Sequence, residues 1–331
     1  MKMTTLGQGG PACSQFGIGA MSFAGIYGDA SEADSHAVLD ACLEGGVSHI
    51  DTSNVYGMGR SEDIIGSWLA ARAGARERMT IATKAGITRR DGVRVFDNSP
   101  EHLEAELDGS LKRLGVDHVD LFYVHRREAD RPIEEVAGIL GALVAKGKTR
   151  TIGFSEIAPT SLRRAVSEHP VAAVQSEYSL STRAPELGLV QACAELGTTL
   201  VAFSPVGRSY LTDAPFDAAR VQNVGFLKTN PRFMEPNYSA NIEATDRFRA
   251  LARDMGISAA GLAIAWLIAQ GDNVLPIPGT SSVSHLGELL EGTRRTLSAD
   301  ELAKIEDVLP VGWCHGDRYT TDQWIGPERF C

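Results

Sequence analysis

Eight short apolar runs separated by helix-like stretches span this 331-residue chain, and that alternation constrains its fold more than any other feature. The runs lie at 16–21, 47–51, 79–84, 119–125, 149–155, 172–178, 198–204 and 273–278, and each reads as a strand. Helix-like segments fall at 31–43, 61–71, 99–114, 132–145, 159–167, 184–196, 240–255 and 258–270. Ser31, Ser61 and Ser99 stand at N-cap positions, with Pro100 in a first turn, and Lys146-Gly147 makes a basic last turn followed by a glycine stop. Strands alternating with helices imply a parallel sheet, because parallel neighbours need a crossover between them. Eight such units predict a closed (β/α)8 TIM barrel. An open nucleotide-binding sheet would place Gly-x-Gly-x-x-Gly after its first strand. Gly17-Ile18-Gly19 lacks the third glycine, and no Walker loop is present.

Two stretches interrupt the repeat. Segment 206–239 is long and rich in Gly, Pro and Asn, and segment 312–331 carries Trp313, Tyr319, Trp324 and Phe330. Long loops in a compact domain are usually functional or disordered, and both stretches are expected near the barrel mouth. A glycine-rich lead-in before the first run is expected to plug the barrel bottom. No linker or second-domain boundary is evident, so residues 1–331 are read as one domain.

Composition narrows the partners. The formal charge of −10 argues against a nucleic-acid or anionic-membrane partner. Cys13, Cys42, Cys193, Cys314 and Cys331 are odd in number and irregularly spaced, so neither a disulfide framework nor a metal site is expected. The N-terminus has no apolar signal-peptide core, and the most apolar helix candidate, 259–269, falls well short of a membrane span. These features predict a cytoplasmic protein.

In a barrel of this kind the strand C-termini converge on one face, where chemistry collects. Asp51, Tyr56, Lys84 and His125 each sit at or just past such an end. A phenol titrates near pH ~10, too high for efficient acid–base work, and a neighbouring ammonium lowers that value. Lys84 is the candidate neighbour, with Asp51 as its partner, and His125 can orient a carbonyl oxygen by a hydrogen bond. The set suits carbonyl–alcohol interconversion, with hydride from a nicotinamide. Taken singly, each residue has a plainer explanation: Asp51 a turn residue, Tyr56 a packed aromatic, Lys84 a neutraliser of a buried acid or a Schiff-base lysine, and His125 a core histidine. Their joint placement weighs against these. A Schiff-base lysine wants a lowered pKa, which an adjacent Asp51 would oppose.

The stretch 51–57, Asp-Thr-Ser-Asn-Val-Tyr-Gly, with Ser61-Glu62 and Ile65-Gly66, resembles the aldo-keto reductase signature. So do Thr83-Lys84, the run 120–125, Lys146-Gly147-Lys148 leading to 152–155, the runs 175–180 and 203–208, Asn230-Pro231-Arg232-Phe233, and 276–280. The resemblance runs from about residue 6 to about residue 310. It implies a (β/α)8 barrel with an extended nicotinamide cofactor across its mouth, acting on aldehydes, ketones or alcohols. Tyr56 then resembles the acid–base, Lys84 its modulator, Asp51 the lysine's partner and His125 the carbonyl orienter. Gly19, Ala20 and Met21 resemble the loop beside the nicotinamide, while Ser155, Glu156 and Gln175 stand in its carboxamide region. Phe203 resembles the stacking aromatic, and Ser204, Val206, Gly207 and Arg208 the pyrophosphate clasp. Gly279, Thr280, Ser281, Ser282 and Glu288 resemble the adenosine-phosphate end.

Two departures stand out. Glu156 replaces a frequent Asn, and a carboxylate cannot donate to the carboxamide oxygen. After Gly279-Thr280 the family's usual basic residues are missing from 281–289, and Leu289 replaces an adenine-contacting Asn. The family favours NADP(H), and the missing cations leave NAD(H) or dual use open. Phe23, Tyr27, Trp313 and Trp324 are expected to wall the substrate pocket. The resulting expectation is an NAD(P)-dependent oxidoreductase for a small carbonyl or alcohol. Its alternatives are an oxidising, NAD-dependent alcohol or sugar dehydrogenase, or a nicotinamide-binding regulatory subunit.

Overall fold

In the computed structural model, which describes residues 1–329, the strands are β1 (Met3–Thr5), β2 (Ala12–Ser14), β3 (Ile18–Gly19), β4 (His49–Asp51), β5 (Thr80–Ala85), β6 (Ile87–Arg90), β7 (Val93–Phe96), β8 (Val119–Val124), β9 (Thr149–Ser155), β10 (Ala173–Glu177), β11 (Thr199–Phe203) and β12 (Val274–Pro276). Eight of them form one parallel sheet in the order β12, β11, β10, β9, β8, β5, β4, β3. The backbone closes the ring: Gly17 N–H donates to Pro276 O at 2.9 Å, and Gly19 N–H to Pro278 O at 2.8 Å. The expected (β/α)8 barrel is therefore the fold, and each of the eight sequence runs coincides with one of these strands, β5 extending one residue past its run. Six of the strands are shorter than their runs, and residues just past several strand ends leave the ladder to build the site. The first run, for example, gives way to a 3-10 turn at Ala20–Ala24.

The caps set most helix starts as expected. Ser31 forms a capping box with Asp34, Ser99 accepts from His102 N–H ahead of Pro100, and Ser258 accepts from Gly261 N–H. Ser61 does not cap. The helix Arg60–Ala70 begins after Gly59, whose φ of 95° ends the preceding turn, and Ser61 Oγ instead donates to Ala20 O at 2.8 Å. The expected helix at 184–196 is a 3-10 turn and a helix, Leu189–Leu196, broken at Gly188 with φ 137°.

Two hairpins were not foreseen. β1 pairs with β2, and Leu6 and Cys13 join Leu121, Tyr123, Val201 and Leu275 in the barrel interior, so the lead-in does plug the bottom. β6 pairs with β7 around Asp91-Gly92, which have φ values of 51° and 79°. Asp-Gly between alternating residues is a strong hairpin signal and was legible in the sequence. The long segment 206–239 holds a 3-10 turn at Gly207–Ser209, a helix at Ala218–Asn223 and a second 3-10 turn at Pro231–Phe233. Phe330 and Cys331 lie outside the described residues. Among those described, no single helix is long and apolar enough to cross a membrane, and no cluster of three metal-ligating side chains occurs.

Candidate active site

Parallel strands point their C-termini the same way, so residues distant in sequence meet at the mouth. Asp51 ends β4, Lys84 lies near the end of β5, and His125 follows β8 directly. Tyr56 sits in the turn after β4, where Gly57 takes φ 62°, and a Cβ there would come 3.0 Å from Ala24. Lys84 is fully buried and pairs with Asp51. Its Nζ also donates to Thr52 O at 2.8 Å and lies 5.2 Å from the Tyr56 ring centroid. The other Asp51 oxygen accepts from Gln175 Nε2 at 2.8 Å, tying β10 to β4 across the barrel. The Tyr56 and His125 rings meet edge-on, 5.8 Å apart. The structure thus brings all four expected residues together.

Burial pushes the Tyr56 phenol up, while Lys84 acts in the opposite direction by charge and by hydrogen bond. Lys84 therefore has the expected sign, but desolvation outweighs it in the chain alone. Burial, Arg126 and Lys84 together hold the His125 imidazole well below its usual range, so it is neutral at neutral pH. Its Nδ1 lies 3.0 Å from Ser53 Oγ.

A cavity of about 730 Å³ runs from this cluster across the mouth. Tyr56, His125, Asp51, Gly19, Met21, Ser155, Gln175, Phe203, Ser204, Val206, Arg208, Gly279, Thr280, Ser281, Ser282 and Glu288 all line it. Its size is in the range for small-molecule sites. After β11, three non-glycine residues have positive φ: Ser204 at 51°, Arg208 at 54° and Ser209 at 96°. Such strain is tolerated where a backbone turn is shaped to face a ligand, and turns of this kind can present N–H groups to an anion. Size and backbone together fit an extended cofactor with a phosphate-bearing middle.

Three expected cofactor residues do not line the cavity. Ala20 is buried and offers its carbonyl to Ser61. Gly207 is buried behind the loop with φ 59°. Glu156 is fully buried and turned away: it pairs with Arg318 at 2.7 Å and accepts from Glu177 N–H at 3.0 Å. Its charge is spent on the C-terminal tail.

Of the four expected pocket walls, only Tyr27 lines the cavity, packed edge-on against Phe226 at 5.1 Å. Phe23 is fully buried in the core between helices and sheet. Trp313 joins the same core and donates from Nε1 to Leu180 O at 2.7 Å. Trp324 lies beside the cavity, edge-on to Tyr319 at 5.4 Å and bonded to Asp317. Trp313 anchors the tail to the core and Trp324 packs within the tail, while the tail's Tyr319, Gln323 and Ile325 reach the cavity. Ile87, Arg94 and Phe96 of the β6–β7 hairpin and Arg126 complete the wall, and sequence reasoning missed all four. The Asp-Gly turn and the position of Arg126 next to His125 were the available signals.

The profile of the Aldo/keto reductase family matches residues 15–310. The chain belongs to the aldo/keto reductase family. Aldo-keto reductase yakc (NADP(+)) of Schizosaccharomyces pombe is 36% identical over 324 residues, covering 96% of this chain and 95% of that protein. Probable aldo-keto reductase 1 of Glycine max is 37% identical over 319 residues, covering 95% and 90%. Among solved structures, a glycerol dehydrogenase from Gluconobacter oxydans superposes with a TM-score of 0.81 at 25% identity, covering 93% of this chain and 94% of that one. As an aldo-keto reductase the protein is an oxidoreductase of a family that binds nicotinamide cofactors and acts on small carbonyls or alcohols.

Proposed function

We propose that this aldo-keto reductase interconverts an aldehyde or ketone and its alcohol, with Tyr56 as general acid in reduction and general base in oxidation. The observation that carries the reading is the buried Lys84–Asp51 pair beneath the Tyr56 ring. A buried ammonium this close stabilises a phenolate against its own desolvation, so the proton can leave Tyr56 and return. Asp51, held by both Lys84 and Gln175, keeps the ammonium in place. Neutral His125 donates from Nε2 to the carbonyl oxygen and points it at Tyr56. Ser155 and the side-chain oxygen of Gln175 hold the cofactor's carboxamide, and Phe203 stacks on its ring. A nicotinamide bound there supplies or accepts the hydride.

The cofactor is NADP(H), held with little discrimination against NAD(H). Kinship with a relative named for NADP(+) supports the first half. The second half rests on residues 279–289, which include no Lys or Arg, and on Glu288 in the cavity wall. Serine hydroxyls and the N-terminus of the helix Val283–Gly292 can receive a phosphate, but without arginine's bidentate fork.

The test is NADPH oxidation by the purified protein with a panel of aldehydes, for the natural chain and Tyr56→Phe. The expected loss of kcat in the variant is about 10²–10⁴-fold, the usual scale for removing a general acid. NADPH affinity should stay within about twofold, because the phenol touches the reacting carbonyl rather than the phosphates. Natural-level turnover by Tyr56→Phe would remove the assignment. Tight cofactor binding with no turnover of any carbonyl or alcohol would leave the regulatory alternative.

A further inference from the structure

We propose that the substrate side of the cavity recognises a carbonyl compound carrying a carboxylate, with Arg126 and Arg94 as its anion-binding residues. The inference rests on the site reading above and names its substrate class. Arg126 directly follows His125, and both line the cavity. Its guanidinium is half-buried yet bonds only neutral oxygens: His125 O at 2.6 Å, Ser155 Oγ at 3.0 Å and Tyr319 Oη at 3.5 Å. Among the described residues no carboxylate lies within 4.0 Å of it. Half-buried arginines elsewhere at this mouth differ: Arg208 and Arg232 share Glu177, and Arg127 pairs with Glu328.

Arg94 lies along the same wall. Its guanidinium stands 5.6 Å from the Phe96 ring centroid, it donates to Asp322 O at 2.6 Å, and it too has no carboxylate partner among the described residues. Gly326 connects the two arginines. A Cβ on that glycine would come 2.7 Å from Phe96 and 3.3 Å from Arg126, so Phe96 and Arg126 both pack against one tail residue. The wall therefore runs Tyr56, His125, Arg126, Phe96, Arg94, with the reactive carbonyl site at one end and two uncompensated cations beyond it. Arg126 is half-buried without an anionic partner, which is costly, whereas Arg94 is exposed; a substrate carboxylate relieves the cost at Arg126 and gives planar bidentate contacts. The acidic residues of the same cavity fall elsewhere. Glu288 belongs to the helix at the adenosine end, Asp213 accepts from Ala259 N–H, Asp29 is exposed, and Asp51 is held by Lys84.

The test compares 4-carboxybenzaldehyde with methyl 4-formylbenzoate, which share the benzaldehyde frame and differ in charge; the ester withdraws more electron density from the aldehyde, so intrinsic reactivity works against the acid. In the natural protein kcat/KM should favour the acid by about tenfold or more, mostly through KM, as expected for one charge-assisted contact. The preference should shrink as salt is raised. In Arg94→Gln and in Arg126→Gln the acid-to-ester ratio should collapse towards one. Equal use of both aldehydes by the natural protein, or a ratio that survives both substitutions, overturns the proposal. Turnover of the ester without preference for the acid overturns this assignment alone. Turnover of neither, with NADPH or NADH, overturns the oxidoreductase reading beneath it as well.

Discussion

The Ser53 hydroxyl lies 3.0 Å from Nδ1 of His125, and both side chains are buried. Ser53 Oγ also accepts from Val55 N–H at 3.4 Å, which leaves its own proton to donate. The carbonyl of Lys84 and Oδ1 of Asn54, each at 3.3 Å, are its more distant acceptors. With His125 held neutral, donation from Ser53 to Nδ1 puts the imidazole proton on Nε2. In the proposed mechanism Ser53 thereby positions His125 to donate towards a carbonyl oxygen. Ser53→Ala should lower kcat for reduction about tenfold, the cost of losing one orienting hydrogen bond, with cofactor affinity unchanged. Ser53→Thr, which keeps the hydroxyl, should recover most of it. Natural kcat in Ser53→Ala would show that the tautomer is set elsewhere.

The pH dependence should differ between the two directions. In the proposed mechanism reduction needs the Tyr56 phenol protonated, and burial raises its pKa while Lys84 only partly opposes that. His125 is already neutral because its pKa is lowered. The rate of reduction should then be flat from about pH 6.5 to about pH 9, with no limb at the ordinary histidine value. Oxidation needs the phenolate and should rise with pH across that same range. Pre-steady-state hydride transfer measured in both directions checks this, and an acidic limb near pH ~6.5 would place a titrating His125 in the mechanism.

At the adenosine end, Ser281→Arg should raise the preference for NADPH over NADH about tenfold, because a guanidinium there can pair with a 2′-phosphate. Ser281 lines the cavity next to Thr280 and Ser282, so the new side chain needs no rearrangement of the backbone to reach it. Fluorescence titration of both cofactors reads the ratio. An unchanged ratio would mean that the phosphate is held by other groups.

Arg318 should be a stability determinant. It is buried beside Glu156, which is buried completely, and it fastens the tail over the ends of β9 and β10. Removing it takes the guanidinium away from a buried carboxylate, at a cost of about 3–5 kcal/mol. Urea unfolding of Arg318→Met should show that loss, and Glu156→Gln combined with Arg318→Met should recover part of it. If the two losses simply add, the pair is not coupled.

Much of this protein was written locally. Periodicity, caps and the glycine after Lys146 gave eight strands in sequence, and the order of strand and helix dictated a parallel barrel. Placement at strand ends singled out Asp51, Tyr56, Lys84 and His125 because a barrel turns sequence order into a shared face. Contacts between distant segments carry no such local signal. Glu156 read as a cofactor ligand from its position after Ser155, yet it is claimed by Arg318, 162 positions away. Trp313 and Trp324 read as pocket walls from their aromatic character, yet Trp313 anchors the tail in the core, Trp324 packs within the tail, and Phe23 packs inward. Tertiary structure alone decided that the β6–β7 hairpin and the tail close the substrate side, with Phe96 against Gly326 and Arg126 beside it. The physical reason is that local sequence sets backbone conformation and the direction of each side chain. Which distant charge or ring a side chain meets depends on how the loops pack above the barrel.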